Sequence, residues 1–174
     1  MMTKRKKIVI CILCILFLFS IICTNLFHYP GEIEYLVNTV EKSFELGKVK
    51  YDNVEYYSAD MPGPFGEGSS RLVLKVSSHC HEDLVEKFKH DKNIFTFPME
   101  DSVSEFIYEV PEEDYLKKID NGYYGVYNKT TKELVPLDEL NRITKDFDLW
   151  SELHRYIFVQ YDLDEALLYV FVDG

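Results

Sequence analysis

Apolar residues run from 8 to 23 with Ser20 as the one interruption, and the run weakens through Thr24-Asn25-Leu26-Phe27. No polar stripe breaks it, so it lacks the one-sided pattern of a helix packed on a globular core. A helix of about 20 residues, rising about 1.5 Å each, covers a hydrocarbon core of about 30 Å. The pattern predicts a transmembrane signal-anchor helix over 8–27. Lys4-Arg5-Lys6-Lys7 stands before it, and clustered cations keep their end on the cytoplasmic side. The expected organisation is a cytoplasmic tip (1–7), the anchor (8–27) and an extracytoplasmic domain (28–174), in a single-pass protein of the cell membrane.

Two processed forms compete with a retained anchor. A cleaved signal peptide has an apolar region of about 7–15 residues and a small-x-small site. Here the run is longer, and the nearest approach to such a site is Ile21-x-Cys23. A lipidated Cys23 would want a small residue before it, where Ile22 stands.

Beyond Tyr29-Pro30-Gly31 the pattern becomes amphipathic. Ile33, Leu36, Val37, Val40 and Phe44 recur at helical spacing, acids crowd the first turn and Gly47 offers a stop, which predicts a helix over 32–46. Residues 49–57 are β-branched and aromatic with imperfect alternation, a strand. A loop dense in Pro and Gly occupies 61–70. Leu72, Leu74 and Val76 alternate with Arg71, Val73 and Lys75 in a second strand over 71–77. A helix over 80–90 follows, with Ser77 or Ser78 as cap and Leu84, Val85 and Phe88 as its apolar stripe.

Residues 94–97 form a short apolar run, and 103–110 alternate as a strand. Pro111 and the acids after it resemble a helix start that ends near Asn121-Gly122. Residues 123–127 and 133–135 flank a five-residue loop and predict a hairpin. A partly helical stretch covers 136–155. Residues 156–161 and 166–172 give the strongest hairpin signal, across Asp162-Leu163-Asp164-Glu165. Both arms are nearly continuous in apolar residues, so this hairpin is expected at the centre of the sheet under helices. Helices mixed with antiparallel strands predict an α+β fold: one small domain with a mainly antiparallel sheet and flanking helices.

Charge changes the picture. Four of the 19 Lys and Arg precede the anchor, leaving 15 cations against 30 acids and a formal charge of −15 on the exported part. Nucleic acid needs a cationic footprint and is excluded as a partner. Anionic lipid is equally unsuited to this surface, whereas a cationic protein is attracted. Acidic chains with few aromatics are often disordered, but 13 Tyr and 12 Phe supply a core. Of four cysteines, Cys11, Cys14 and Cys23 fall in the anchor and Cys80 stands alone outside it. The domain therefore folds without an internal disulfide, and Cys80 is expected as a small buried thiol.

Candidate chemistry is sparse. His79-Cys80-His81 offers metal-ligand types, but neighbours in sequence diverge on either a helix or a strand. His90 would stand about 16 Å from His79 along a helix. A Cys80 nucleophile lacks an identifiable base. Gly66-Glu67-Gly68-Ser69-Ser70 fits neither Gly-x-Ser-x-Gly nor a phosphate loop. The acid clusters at 100–101, 112–114, 146–148 and 162–165 lack the central Gly of a calcium loop and read as turn tips and helix starts. Asn128-Lys129-Thr130 matches a glycosylation sequon, relevant only in a eukaryotic secretory route. No catalytic residue, metal or cofactor is assigned.

Tyrosines are the remaining oddity. On strands they pack as ordinary sheet residues; exposed, they suit a peptide or sugar. Candidate binding residues are Tyr123, Tyr124 and Tyr127, with Phe65 in the 61–70 loop. The expected function is a non-enzymatic, membrane-anchored interaction domain at the outer face of the membrane, of which immunity-like binding of a cationic protein is one form. A cell-wall sugar or peptide module and a cell-surface hydrolase are the alternatives.

Overall fold

A computed structural model describes residues 31–59, 68–104, 118–145 and 155–173. The expected anchor over 8–27 lies outside the described residues. Among those described, no helix is long and apolar enough to cross a membrane. The chain divides into two compact units, Met1–Leu36 and Val37–Gly174. A helix over 31–43 (α1) begins the described chain.

Seven strands in the second unit make one antiparallel sheet, with helices beside it. In chain order they are β1 (Tyr51–Ala59), β2 (Ser69–Val76), β3 (Phe95–Thr96), β4 (Gly122–Asn128), β5 (Glu133–Leu134), β6 (Tyr156–Asp162) and β7 (Leu167–Asp173). In space the order is β1-β2-β7-β6-β4-β3, and β5 also pairs with β4. The helices α2 (Ser78–His90) and α3 (Leu137–Lys145) belong to the same unit. This is the expected small α+β domain.

The β6–β7 hairpin is central, as its continuous apolar arms require. All seven β6 residues are buried. Its turn is held by the buried Asp162, whose Oδ1 accepts from the backbone N–H of Asp164 (2.9 Å) and Glu165 (3.0 Å). Ala166, expected in the strand, instead takes the left-handed φ of 48° that closes this turn. The β4–β5 hairpin also forms as expected, with Asn128 Oδ1 accepting from Thr130 and Thr131.

Alternation sorts the side chains onto two faces. On one, Tyr123, Tyr161 and Tyr127 meet Phe88 of α2 and Phe44 just after α1, at centroid distances of 5.9, 5.7 and 6.1 Å from their respective partners. Gly125 lets this layer close, because a Cβ there would run into Ile94 and lie 3.2 Å from Phe44. Cys80, Leu84 and Phe88 are the buried stripe of α2. The turn after α1 uses Glu45 (φ 50°) and Gly47 (φ 74°) and is tied twice: Val49 N–H donates to Glu41 Oε1 at 2.7 Å, and Lys87 Nζ to the Glu45 carbonyl at 3.1 Å. On the opposite face Leu140 and Ile143 of α3 cover Tyr124, Val126, Tyr156 and Phe158.

Some local expectations shift. The imperfect alternation in β1 corresponds to two irregularities in its pairing with β2, at 51–53 and 54–56; each extra residue reverses the side that follows. Ser69 and Ser70 belong to β2 rather than to the loop. Ser77 is the N-cap of α2, yet its side chain makes no capping bond; its carbonyl accepts from Cys80 and His81 instead. Val103 and Ser104 are helical, not the start of a strand: both donate to the Glu100 carbonyl, and Val103 is fully buried. The rest of the expected strand over 103–110 and the helix start at Pro111 lie outside the described residues.

Candidate functional site

One cross-strand row orders the face that carries α3. Tyr56 lies opposite Val73, Val73 opposite Tyr169, Tyr169 opposite Gln160, Gln160 opposite Tyr124, and Tyr124 opposite Phe95. The Tyr124 end is roofed. The Tyr56 end is a cleft of about 510 Å³ lined by Glu55, Tyr56, Val73, Lys75, Glu165, Leu167 and Tyr169. Val73 and Tyr169 of the lining cluster with the buried Ile119, and Tyr56, Phe97 and Leu167 pack against that cluster.

Three separate segments build this cleft. The strand β1 brings Glu55 and Tyr56, β2 brings Val73 and Lys75, and the β6–β7 turn and β7 bring Glu165, Leu167 and Tyr169. Among the described residues of the lining Lys75 is the one cation, and its ammonium donates to the backbone carbonyl of Glu165. Two carboxylates, Glu55 and Glu165, stand against that one ammonium among the described lining residues. Aromatic rings beside carboxylates attract cations, because ring faces and carboxylates both present negative potential.

Gln160 lies opposite Tyr169 in the row and outside the cleft lining. It is 2 % exposed, and its Oε1 has no hydrogen-bond partner. An orphaned buried acceptor costs about 1–3 kcal/mol. Nearby on the same face, the Arg71 guanidinium lies 5.9 Å from the centroid of its cross-strand partner Phe171.

The expected binding tyrosines are not brought together. Tyr123 and Tyr127 are half-buried on the α2 face, whereas Tyr124 is buried on the other. Burial, then the negative charge of Glu100, raise the Tyr124 hydroxyl above its ordinary pKa. Phe65 lies outside the described residues. His79 and His81 diverge: His79 is exposed, and His81 Nδ1 and the Tyr161 hydroxyl share a hydrogen bond of 2.6 Å. Burial chiefly, then Cys80 and Asp162, push the Tyr161 hydroxyl strongly up. Cys80 is the expected buried thiol, with Sγ 3.5 Å from the Lys48 carbonyl. Among the described residues, no three His, Cys, Asp or Glu side chains converge as metal ligands.

The cleft was missed because it needs the β2–β7 pairing, which joins residues as far apart as Lys75 and Glu165, 90 positions on. The alternation of Arg71, Val73 and Lys75 on one side of β2 was its only local signal. Comparison with protein-family models, with curated proteins and with solved structures finds no match.

Proposed function

We propose that this chain is a single-pass membrane protein whose extracytoplasmic domain binds a cationic protein partner and catalyses no reaction. The observation that carries this reading is the formal charge of −15 on residues 28–174, placed behind a basic tip and an apolar run long enough to span. The cleft, with Glu55 and Glu165 against one ammonium among its described lining residues, supports it by offering one defined place that attracts a cation. Tethering to a membrane raises the effective concentration near partners in the same membrane, so modest affinity suffices.

Crosslinking of the full-length protein in its native membrane, read by mass spectrometry, tests the reading. The expected result is a basic protein attached reproducibly, lost at high salt and lost when surface acids are reversed to lysine. A partner whose capture survives both treatments overturns it, as does wall polymer in place of protein.

A further inference from the structure

We propose that the outer edge of β1 is built to refuse a second copy of this chain, and that Asp52 and Glu55 are the residues that keep it from pairing. This holds whether or not the partner is a cationic protein.

An edge strand offers its unused N–H and C=O groups to any other strand. The two ends of the strand order are β1 and β3. The strand β3 has two residues, too few to template another chain. The strand β1 has nine, and among the described residues it pairs with β2 alone. It contains no Pro and no cation, and none of its residues is buried. Tyr51, Val54, Tyr56 and Tyr57 give it strand propensity and apolar surface. Those are the traits of a strand that pairs with copies of itself.

Two features oppose such pairing. The ladder to β2 slips twice: Tyr51 and Asn53 face the consecutive Val76 and Lys75, and Val54 and Tyr56 face the consecutive Leu74 and Val73. Asp52 and Glu55 are therefore the extra residues, one at each irregularity, and both are exposed acids. An extra residue bends the strand and breaks the even spacing that a straight partner needs. Asn53 Nδ2 donates to Glu55 Oε1 at 3.3 Å and so holds the second carboxylate beside the strand. Full antiparallel overlap of two β1 strands sets Glu55 opposite its own counterpart, and parallel overlap in register sets each acid against itself. Like charges placed opposite are destabilising, and β1 holds no cation to relieve them.

The test is the association of the full-length protein in detergent micelles, followed by sedimentation velocity over a range of concentrations. The parent is compared with a chain lacking Asp52 and Glu55, whose remaining β1 residues keep their facing partners on β2. It is also compared with Asp52→Thr/Glu55→Thr, which keeps the extra residues and loses the charge. Pairing through any other part of the chain is common to all three. The deletion is expected to associate at least about tenfold more tightly than the parent, because the opposed acids and both irregularities are gone. The double Thr variant lies between them. In the associated form, amide hydrogen exchange slows across 51–59. Urea unfolding shows which variants are folded. Thr is a good strand former, so the Thr variant carries the test if the deletion does not fold.

A folded deletion, or a folded Thr variant, that associates no more tightly than the parent overturns the inference. So does association that leaves exchange at 51–59 unchanged, or a parent that already pairs through β1. None of these outcomes bears on the cationic partner, which the crosslinking tests.

Discussion

At one end of the row on the α3 face, Tyr124 lies with Val126 and Phe158 under Leu140 and Ile143. At the other, Tyr56, Val73 and Tyr169 line a cleft with Glu55 and Glu165. The strands, the face and the residue types are alike. Cover differs: among the described residues, no helix contributes to the Val73–Ile119–Tyr169 cluster. The segment after β4 folds straight back, through β5, to place α3 on the strand just made. Sheet hydrophobicity alone therefore does not decide which end lies under a helix and which borders a cleft. At the Tyr124 end, the segment that follows β4 decides it.

The largest effect separates the two ends by stability. Leu140 is 1 % exposed in the roofed cluster, so Leu140→Ala is expected to cost about 3 kcal/mol through lost burial and a cavity. Leu167, half-buried at the cleft, should cost about 1 kcal/mol on the same change, since part of that side chain already meets water. Urea unfolding of the two variants compares them directly. Equal losses would mean that the cleft end is as fully packed as the other, and the contrast would collapse.

Next in size is the alkaline limb of stability. Tyr124 and Tyr161 are both held neutral above the ordinary tyrosine value of 10.0, chiefly by burial. Their folded pKa values are raised, so above about pH 10 the unfolded chain has shed protons that the folded chain keeps, and stability falls as pH rises. Each tyrosine contributes a slope approaching about 1.4 kcal/mol per pH unit there. Tyr124→Phe should flatten the limb. Tyr161→Phe should flatten it too, and at neutral pH should cost about 1 kcal/mol for the bond to His81. Identical alkaline unfolding of parent and both variants would show that neither hydroxyl is sealed from solvent.

Local pattern carried much of this fold and little of the site. The β6–β7 and β4–β5 hairpins were legible because each is written in neighbouring residues: a polar turn between apolar arms, with Asp162 and Asn128 able to bond their own turns. The same holds for α2, whose stripe lies within 13 residues. Val103 was misread because its alternating neighbours resemble a strand, whereas hydrogen bonds to Glu100 set the backbone there. Alternation divides the tyrosines of 123–127 between two faces, Tyr123 and Tyr127 on one and Tyr124 on the other. Gln160 was the one polar residue inside an otherwise apolar arm, and nothing in that arm shows that it would stand beside Tyr169. Non-local pairing creates the site, and sequence periodicity does not report which strands meet.

The cleft's own lysine offers a smaller, sharper test of the comparison. Lys75→Gln removes the one cation among the described lining residues, where Glu55 and Glu165 remain. Attraction for a basic partner should rise, by about 1 kcal/mol for one charge at a partly exposed site, with a steeper salt dependence. Stability should change by less than that, since the bond to the Glu165 carbonyl is exposed. Salt titration of the crosslinking yield measures it. Unchanged yield would place the partner's contact elsewhere on the acidic surface.

The smallest effect belongs to the roofed end. Arg142 donates to both Glu139 carboxylate oxygens, at 2.9 and 2.6 Å, on the outer side of α3. This bond first, and then the guanidinium charge, hold the Glu139 carboxyl below its ordinary value. A depressed carboxyl contributes stability above its unfolded pKa and loses it as pH falls through the folded one. The side chains are 43 % and 61 % exposed, so solvent screens the pair. Glu139→Gln should cost no more than about 0.5 kcal/mol at pH 7, with the difference vanishing toward pH 3. Urea unfolding at both pH values measures it. If α3 is held by Leu140 and Ile143, breaking the pair leaves the helix seated; a loss comparable to Leu140→Ala would mean that charge secures the cover, and the two ends would then differ in electrostatics rather than in packing.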